Sequence, residues 1–78
     1  MKIGVRVMPR KEVLDTQGRA VEKTLQNHLK PVLSCRVGKY IVLDIDENTE
    51  GKALLKAKDI AEFVLHNPLI ETYEIEPI

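Results

Sequence analysis

Few residues in this 78-residue chain have side chains that could carry out catalysis or bind a metal. Cys35 is the only cysteine and His28 and His66 are the only histidines, and none of them has a partner at the spacing of a metal site. The sequence contains no Ser–His–Asp candidate, no CxxC pair and no glycine-rich loop of the GxxxxGK[ST] or GxGxxG type. We interpret Cys35 as a structural thiol and the histidines as helix-end residues. The sequence thus predicts a chain that is not an enzyme on its own.

An acidic run at residues 44–48 imitates the start of a calcium-binding loop. Such a loop needs glycine at its sixth position and glutamate at its twelfth, where this chain has Thr49 and Leu55. We therefore predict no metal site here, and interpret the acids as a solvated turn that favours the start of a helix.

Length and composition predict one domain spanning residues 1–78. Twelve basic and twelve acidic residues balance at zero net charge, which argues against a nucleic-acid partner. No apolar run is long enough to span a membrane, and no secretory signal opens the chain. One cysteine cannot form an internal disulfide, which favours a cytoplasmic location.

Hydrophobic periodicity and helix-end signals predict the elements on either side of a long middle segment. Alternation predicts a first strand, and residues 10–12 follow as a solvated loop. Asp15 is a good N-cap, and apolar residues spaced three and four apart predict the helices. In chain order we expect a strand at 2–8, a helix from 16 to Pro31, a helix at 51–66 and a strand at 69–76.

The middle segment, residues 33–46, carries apolar residues on odd positions with Lys39 as the only break. This pattern favours one long strand, bent at Gly38, over a tight hairpin at Gly38-Lys39. Such a strand would reach over about 40 Å, so it should overhang its own domain and pair with another chain. The predicted fold is α+β: a ferredoxin-like two-layer sandwich whose antiparallel sheet has both helices on one face and a long bent central strand shared in a dimer.

Gly18 and Arg36 are the residues whose local role the sequence leaves open. Glycine near the start of a helix costs about 1 kcal/mol against alanine, so Gly18 should allow close approach, either by the chain's own sheet or by a partner. Arg36, next to Gly38 and Lys39, is either a solvated edge residue or an anchor for an acidic patch or phosphate. Gln17 and Arg19 flank Gly18 with outward donors.

Three stretches together resemble one known family: LDTQGRAVEKTL at 14–25, RVGKYIVLDI at 36–45 and LHNPLIETYEIE at 65–76. They are similar to the PurS family, the small subunit of phosphoribosylformylglycinamidine synthase. Thr16 stands where that family usually has proline, and His66 where it commonly has alanine. The resemblance covers nearly the whole chain.

The resemblance implies a non-catalytic subunit that joins a large synthetase subunit and a glutaminase subunit in purine biosynthesis. The complex uses ATP, Mg²⁺ and ammonia from glutamine to convert formylglycinamide ribonucleotide (FGAR) to formylglycinamidine ribonucleotide (FGAM). This chain itself would bind no cofactor. It also implies self-association as a dimer or tetramer. The residues expected at partner interfaces are Asp15, Gln17, Gly18 and Arg19 on one surface, Arg36, Gly38 and Lys39 on another, and Asn67 and Pro68 in the turn before the last strand.

Two other functions fit a fold of this kind. One is a regulatory domain that binds a small metabolite at the interface of a ferredoxin-like dimer. The other is an acylphosphatase-type hydrolase, which needs an anion-cradling loop after the first strand. Residues 8–12 lack the glycines of such a loop.

Overall fold

The computed structural model describes residues 1–78 and has the predicted alternation of strands and helices. The elements are β1 (Lys2–Pro9), α1 (Thr16–Asn27), β2 (Lys39–Asp44), α2 (Glu50–Ile60), a π-helical turn (Ala61–Leu65) and β3 (Glu71–Pro77). This is the strand–helix–strand–helix–strand order of a ferredoxin-like α+β fold, as predicted. No helix is long and apolar enough to cross a membrane.

The three strands form one antiparallel sheet in the order β2–β1–β3. Val5 at the middle of β1 lies opposite Ile41 of β2 and Ile75 of β3. The central strand is therefore β1, and β2 and β3 each leave one edge unpaired.

The core lies between one face of the sheet and α2. Ile3, Val5 and Val7 of β1 are fully buried, and they alternate with residues on the open face because side chains of a strand point to opposite faces in turn. Against them lie Ala53, Ala57 and Ala61, four residues apart and fully buried. Small side chains at these positions let the helix backbone approach the sheet closely.

The prediction of a long central strand at 33–46 is wrong. Only Lys39–Asp44 is a strand, it lies at an edge, and the chain before it neither pairs in the sheet nor turns back as a hairpin. The reason is that two carboxylates of α1 and its cap hold this segment: the backbone N–H of Cys35 donates to Glu22 and that of Val37 donates to Asp15. These bonds tie residues 35–37 to the helix instead of to the sheet.

The prediction that both helices cover one face of the sheet is also wrong in its placement of α1. Among the helices, only α2 and the π-helical turn supply residues to the two core clusters. Within α1 only Gly18 is buried. Leu25 is half-buried, Val21 stays 39% exposed and Leu29 just beyond the helix is 90% exposed, so the apolar stripe of α1 is only partly covered within this chain.

The helix predicted at 51–66 does not stay regular to its C-terminal end. Apolar spacing along this helix predicts Val64 in the core with Phe63 beside it, but both are exposed. A π-helical turn bonds five residues along the chain rather than four, so it rotates these side chains away from the sheet. Helix α1 ends at Asn27, earlier than Pro31 predicted, because Leu29 adopts a left-handed φ of 58°.

The molecule is elongated, with extents of 48 × 25 × 15 Å. Its radius of gyration is 15.6 Å, against about 11–12 Å for a compact chain of this length. The part that overhangs is α1 with the segment before β2, rather than a long strand.

Candidate functional site

Asp15 joins two parts of the chain through its carboxylate. One oxygen accepts from the backbone N–H of Gly18 at 2.9 Å, which confirms the predicted N-cap of α1. The other accepts from the backbone N–H of Val37 at 2.8 Å. The pKa of Asp15 lies below its ordinary value, first because of the bond from Gly18 and then because of the bond from Val37, with a smaller contribution from the Arg36 charge.

Gly18 is buried because the segment before β2 runs directly against it. A Cβ at this position would overlap the carbonyl oxygen of Cys35 and the carboxylate of Asp15. The close approach predicted for Gly18 is therefore made by the chain itself, through a loop rather than through the sheet. Gln17 and Arg19 on either side are exposed.

The second predicted surface lies at the end of β1. The guanidinium of Arg36 donates to the carbonyl oxygen of Pro9. A Cβ on Gly38 would overlap the carbonyl oxygen of Val7. The ammonium of the exposed Lys39 lies 3.8 Å from the carboxylate of the half-buried Glu71, a long ion pair of small energetic weight.

Asn67 and Pro68 form the turn before β3, as the sequence indicated. The side-chain oxygen of Asn67 accepts from the backbone N–H of Leu69 at 3.1 Å. The backbone carbonyl oxygen of Asn67 accepts from the backbone N–H of Glu71 at 2.7 Å. The carbonyl oxygen of Pro68 accepts two bonds from the guanidinium of Arg10, at 3.0 and 2.8 Å. This turn is thereby fixed to the loop after β1.

Two adjoining clefts at one corner of the molecule bring together three of the predicted site residues, Asp15, Arg19 and Arg36. The first, of about 290 Å³, is lined on its charged side by Arg10, Lys11, Glu12 and Arg36. The second, of about 210 Å³, shares Lys11 and Arg36 with the first and adds Arg19. We name the four cations Arg10, Lys11, Arg19 and Arg36 the basic corner.

The basic corner contains two residues that the sequence analysis missed as site residues. Arg10 and Lys11 read as a solvated loop, and no spacing signal links them to Arg19 or Arg36. Only the folded path of residues 10–36, held by Asp15, places the four side chains around shared clefts. Gln17, Gly38, Lys39 and the turn at Asn67 do not line the second cleft.

A second polar cluster lies on the open face of the sheet. The ring of Tyr40 lies over Gly4, and its hydroxyl donates to Glu76 at 2.9 Å, which raises the pKa of Tyr40. Arg6 lies 3.5 Å from Glu74 and 3.4 Å from Glu76. These contacts link all three strands and form a structural cluster.

The chemistry available at these positions is recognition. No group of three or more His, Cys, Asp or Glu side chains is arranged to hold a metal ion. The basic corner offers positive charge and hydrogen-bond donors on an exposed surface, which suits an anionic partner.

Comparison with known proteins gives one consistent result. A family model described as "PurS: Phosphoribosylformylglycinamidine (FGAM) synthase" matches residues 2–78. The phosphoribosylformylglycinamidine synthase subunit PurS of Thermotoga maritima is 32% identical over 78 residues, which cover 99% of this chain and 95% of that protein. The subunit of the same name from Bacillus subtilis is 36% identical over 76 residues, covering 96% of this chain and 89% of that protein.

Solved structures agree with the sequence matches. A chain in the structure of PurLQS from Thermotoga maritima superposes with a TM-score of 0.90 at 32% identity, covering 99% of this chain and 95% of that one. Thermus thermophilus PurS gives a TM-score of 0.85 at 30% identity, covering 99% of this chain and 95% of that one.

Proposed function

The chain belongs to the PurS family, and we therefore propose that it is the small, non-catalytic subunit of phosphoribosylformylglycinamidine synthase. The observation that carries this function is the match over residues 2–78, together with the likeness to a chain of the Thermotoga maritima PurLQS structure. The complex is a ligase that makes FGAM in purine biosynthesis. The residues of this chain offer surfaces for binding rather than groups for catalysis.

Its partners are the other subunits of the same complex: the large synthetase subunit and the glutaminase subunit. The likeness to a chain of PurLQS supports this assignment. The elongated shape suits a subunit that touches more than one partner, since its length of 48 Å is about three times its smallest extent of 15 Å.

Self-association through the outer edge of β2 is consistent with the role of an assembly subunit. Residues 40–43 of this edge are uncharged, with Lys39 at one end and Asp44 at the other. An antiparallel pair of two such strands would place Lys39 of one copy opposite Asp44 of the other, an opposite-charge pair that favours this register. The exposed edge supports a dimer, which can assemble further into a tetramer.

The interface roles of individual residues follow from where they lie. Arg19 and Arg36 point their charges into shared clefts and are the best placed to contact a partner. Asp15, Gly18 and Gly38 act indirectly, because they hold the segment before β2 in position. Gln17, Lys39, Asn67 and Pro68 lie on the surface around them.

Within the complex, ATP and Mg²⁺ are used by the synthetase, and this chain binds neither. Residues 1–78 act as a single domain. A role in purine biosynthesis supports a cytoplasmic location for the subunit.

Reconstitution tests the function directly. The purified chain is mixed with a synthetase subunit and a glutaminase subunit, and glutamine-dependent amidine formation is measured as the chain is titrated in. We expect turnover to rise and to saturate at a fixed ratio of subunits. Equal turnover with the chain left out would show that the assembly role is wrong.

A further inference from the structure

We propose that the basic corner docks a carboxylate-rich surface of another subunit in the same complex. This inference rests on the proposed function and adds the chemistry of the partner surface. Arg10, Lys11, Arg19 and Arg36 would meet aspartate and glutamate side chains of the partner protein.

The first argument is that these four charges have no carboxylate partner in the chain. The five ion pairs of the structure all lie elsewhere, on Met1, Arg6, Lys39 and Lys56. Three carboxylates, those of Glu12, Asp15 and Glu22, also line the two clefts, but none of them forms an ion pair with the four cations. Backbone N–H groups that donate to Asp15 and Glu22 hold these two carboxylates in place without cancelling their charge. The four cations therefore exceed the three carboxylates around the clefts by one positive charge.

The second argument is that two of the four cations are already held in place. Arg10 donates to the carbonyl oxygen of Pro68, and Arg36 donates to that of Pro9. A carbonyl fixes a guanidinium without neutralising it, and each guanidinium has five N–H donors, so donors remain for a partner. Side chains fixed before binding lose less entropy when the partner arrives.

The third argument favours carboxylates of a protein over a phosphate. Phosphate sites are usually built from backbone N–H groups in a nest or at a helix N-terminus. Here Pro9 has no N–H, the N–H of Arg10 donates to Ile70, and that of Val13 donates back to Arg10, so only the N–H groups of Lys11 and Glu12 remain without an acceptor in this loop. The N-terminus of α1 is already capped by Asp15. Side chains alone supply the positive charge, which fits a matching array of acidic side chains.

Lys11 gives the sharpest test because its side chain makes no hydrogen bond or ion pair in the chain. The assay measures the Kd of the labelled chain for the assembled synthetase–glutaminase pair. We expect Lys11→Glu to weaken docking by about tenfold at low salt, since reversing a charge adds repulsion at the interface. The matched control is Lys52→Glu, an exposed change of the same charge on α2, which should leave the Kd within about twofold.

Salt and phosphate separate the remaining outcomes. Docking of the wild-type chain should weaken as salt increases, and docking of Lys11→Glu should depend less on salt, because one attractive charge is lost. Inorganic phosphate titrated into the isolated chain should leave the amide NMR signals near Lys11 unchanged. Phosphate binding that Lys11→Glu abolishes, with docking intact, would make the corner a phosphate site and overturn the proposal.

The docking and turnover measurements distinguish a wrong inference from a wrong function. If wild-type chain docks and Lys11→Glu docks equally well, the inference is wrong and the assembly function stands. If wild-type chain neither docks nor raises turnover, the function is wrong and the inference falls with it. Circular dichroism of each variant confirms that the fold is intact.

Discussion

Replacing Gly18 with alanine tests the close contact between α1 and the segment before β2. Gly18 has no positive φ, so the substitution costs nothing in backbone conformation. In an ordinary helix the change would stabilise the protein by up to about 1 kcal/mol. Here the new Cβ would lie under 3.0 Å from both the Cys35 carbonyl oxygen and the Asp15 carboxylate, a separation that real Cβ atoms essentially never show.

The size of the effect follows from what must move. The segment would have to retreat from α1, which pulls the backbone N–H of Val37 away from Asp15. Inserting a methyl group into a closely packed site costs about 1–3 kcal/mol, and the helix propensity gained offsets up to about 1 kcal/mol of this cost. A net loss of about 1–2 kcal/mol, at about 4–8 °C per kcal/mol for a domain of this size, should lower the Tm of Gly18→Ala by roughly 5–15 °C.

The matched control is Gly51→Ala, near the start of α2. Nothing lies within 4 Å of a Cβ at that position, so the same substitution should stabilise the protein slightly. Thermal unfolding followed by circular dichroism, at one fixed protein concentration, compares the two variants. A Gly18→Ala protein as stable as Gly51→Ala would refute the assignment of Gly18 to close packing.

Three further predictions concern the sheet and the acid stability. Gly4→Ala should destabilise the chain because its Cβ overlaps the Tyr40 ring, and it should become tolerated when combined with Tyr40→Ala; equal Tm losses in both backgrounds would contradict this. Val5→Ala removes two fully buried methyl groups and should cost about 2–3 kcal/mol in urea unfolding, whereas Val42→Ala, 52% exposed, should cost under about 0.5 kcal/mol. The pKa of Asp15 is lowered in the folded state, so its stabilisation is complete above its ordinary value of 3.8 and is lost as the pH falls through the lowered pKa. In Asp15→Asn the free energy of unfolding should therefore depend less on pH in the acid range. An unchanged pH dependence would show that Asp15 does not contribute.

The parts of the fold that the sequence predicts are those that depend on neighbouring residues. The alternation in β1 and the cap at Asp15 involve contacts a few residues apart, and both are confirmed. The path of the segment before β2 depends on two hydrogen bonds between residues that are distant in the sequence. Val37 donates to Asp15 across 22 positions, and Cys35 donates to Glu22 across 13 positions. Period-two alternation cannot reveal such bonds, so it predicted a strand where the chain is tied to a helix.

The candidate site shows the same limit. Arg36 stands out in the sequence because glycine and lysine follow it, but Arg10 and Lys11 look like any charged loop. Their meeting with Arg36 requires the folded connection through α1, which no local pattern encodes. Likewise, the exposed stripe of α1 at Val21 reads as a core stripe, because periodicity reports an apolar face and not what covers it.

The two outer edges of the sheet differ in a way that bears on how large an assembly can become. A protein whose two edges were equally adhesive would add copies at both ends and polymerise into a filament. The β3 edge carries Glu71, Glu74 and Glu76 and ends at Pro77, which has no N–H to donate. Although Arg6 and Lys39 pair with these glutamates, charged side chains and a proline disfavour strand pairing at an edge, while the β2 edge is uncharged between its ends. The proposed pairing through the β2 edge would therefore extend the sheet on one side only, and such an assembly would close at a finite size.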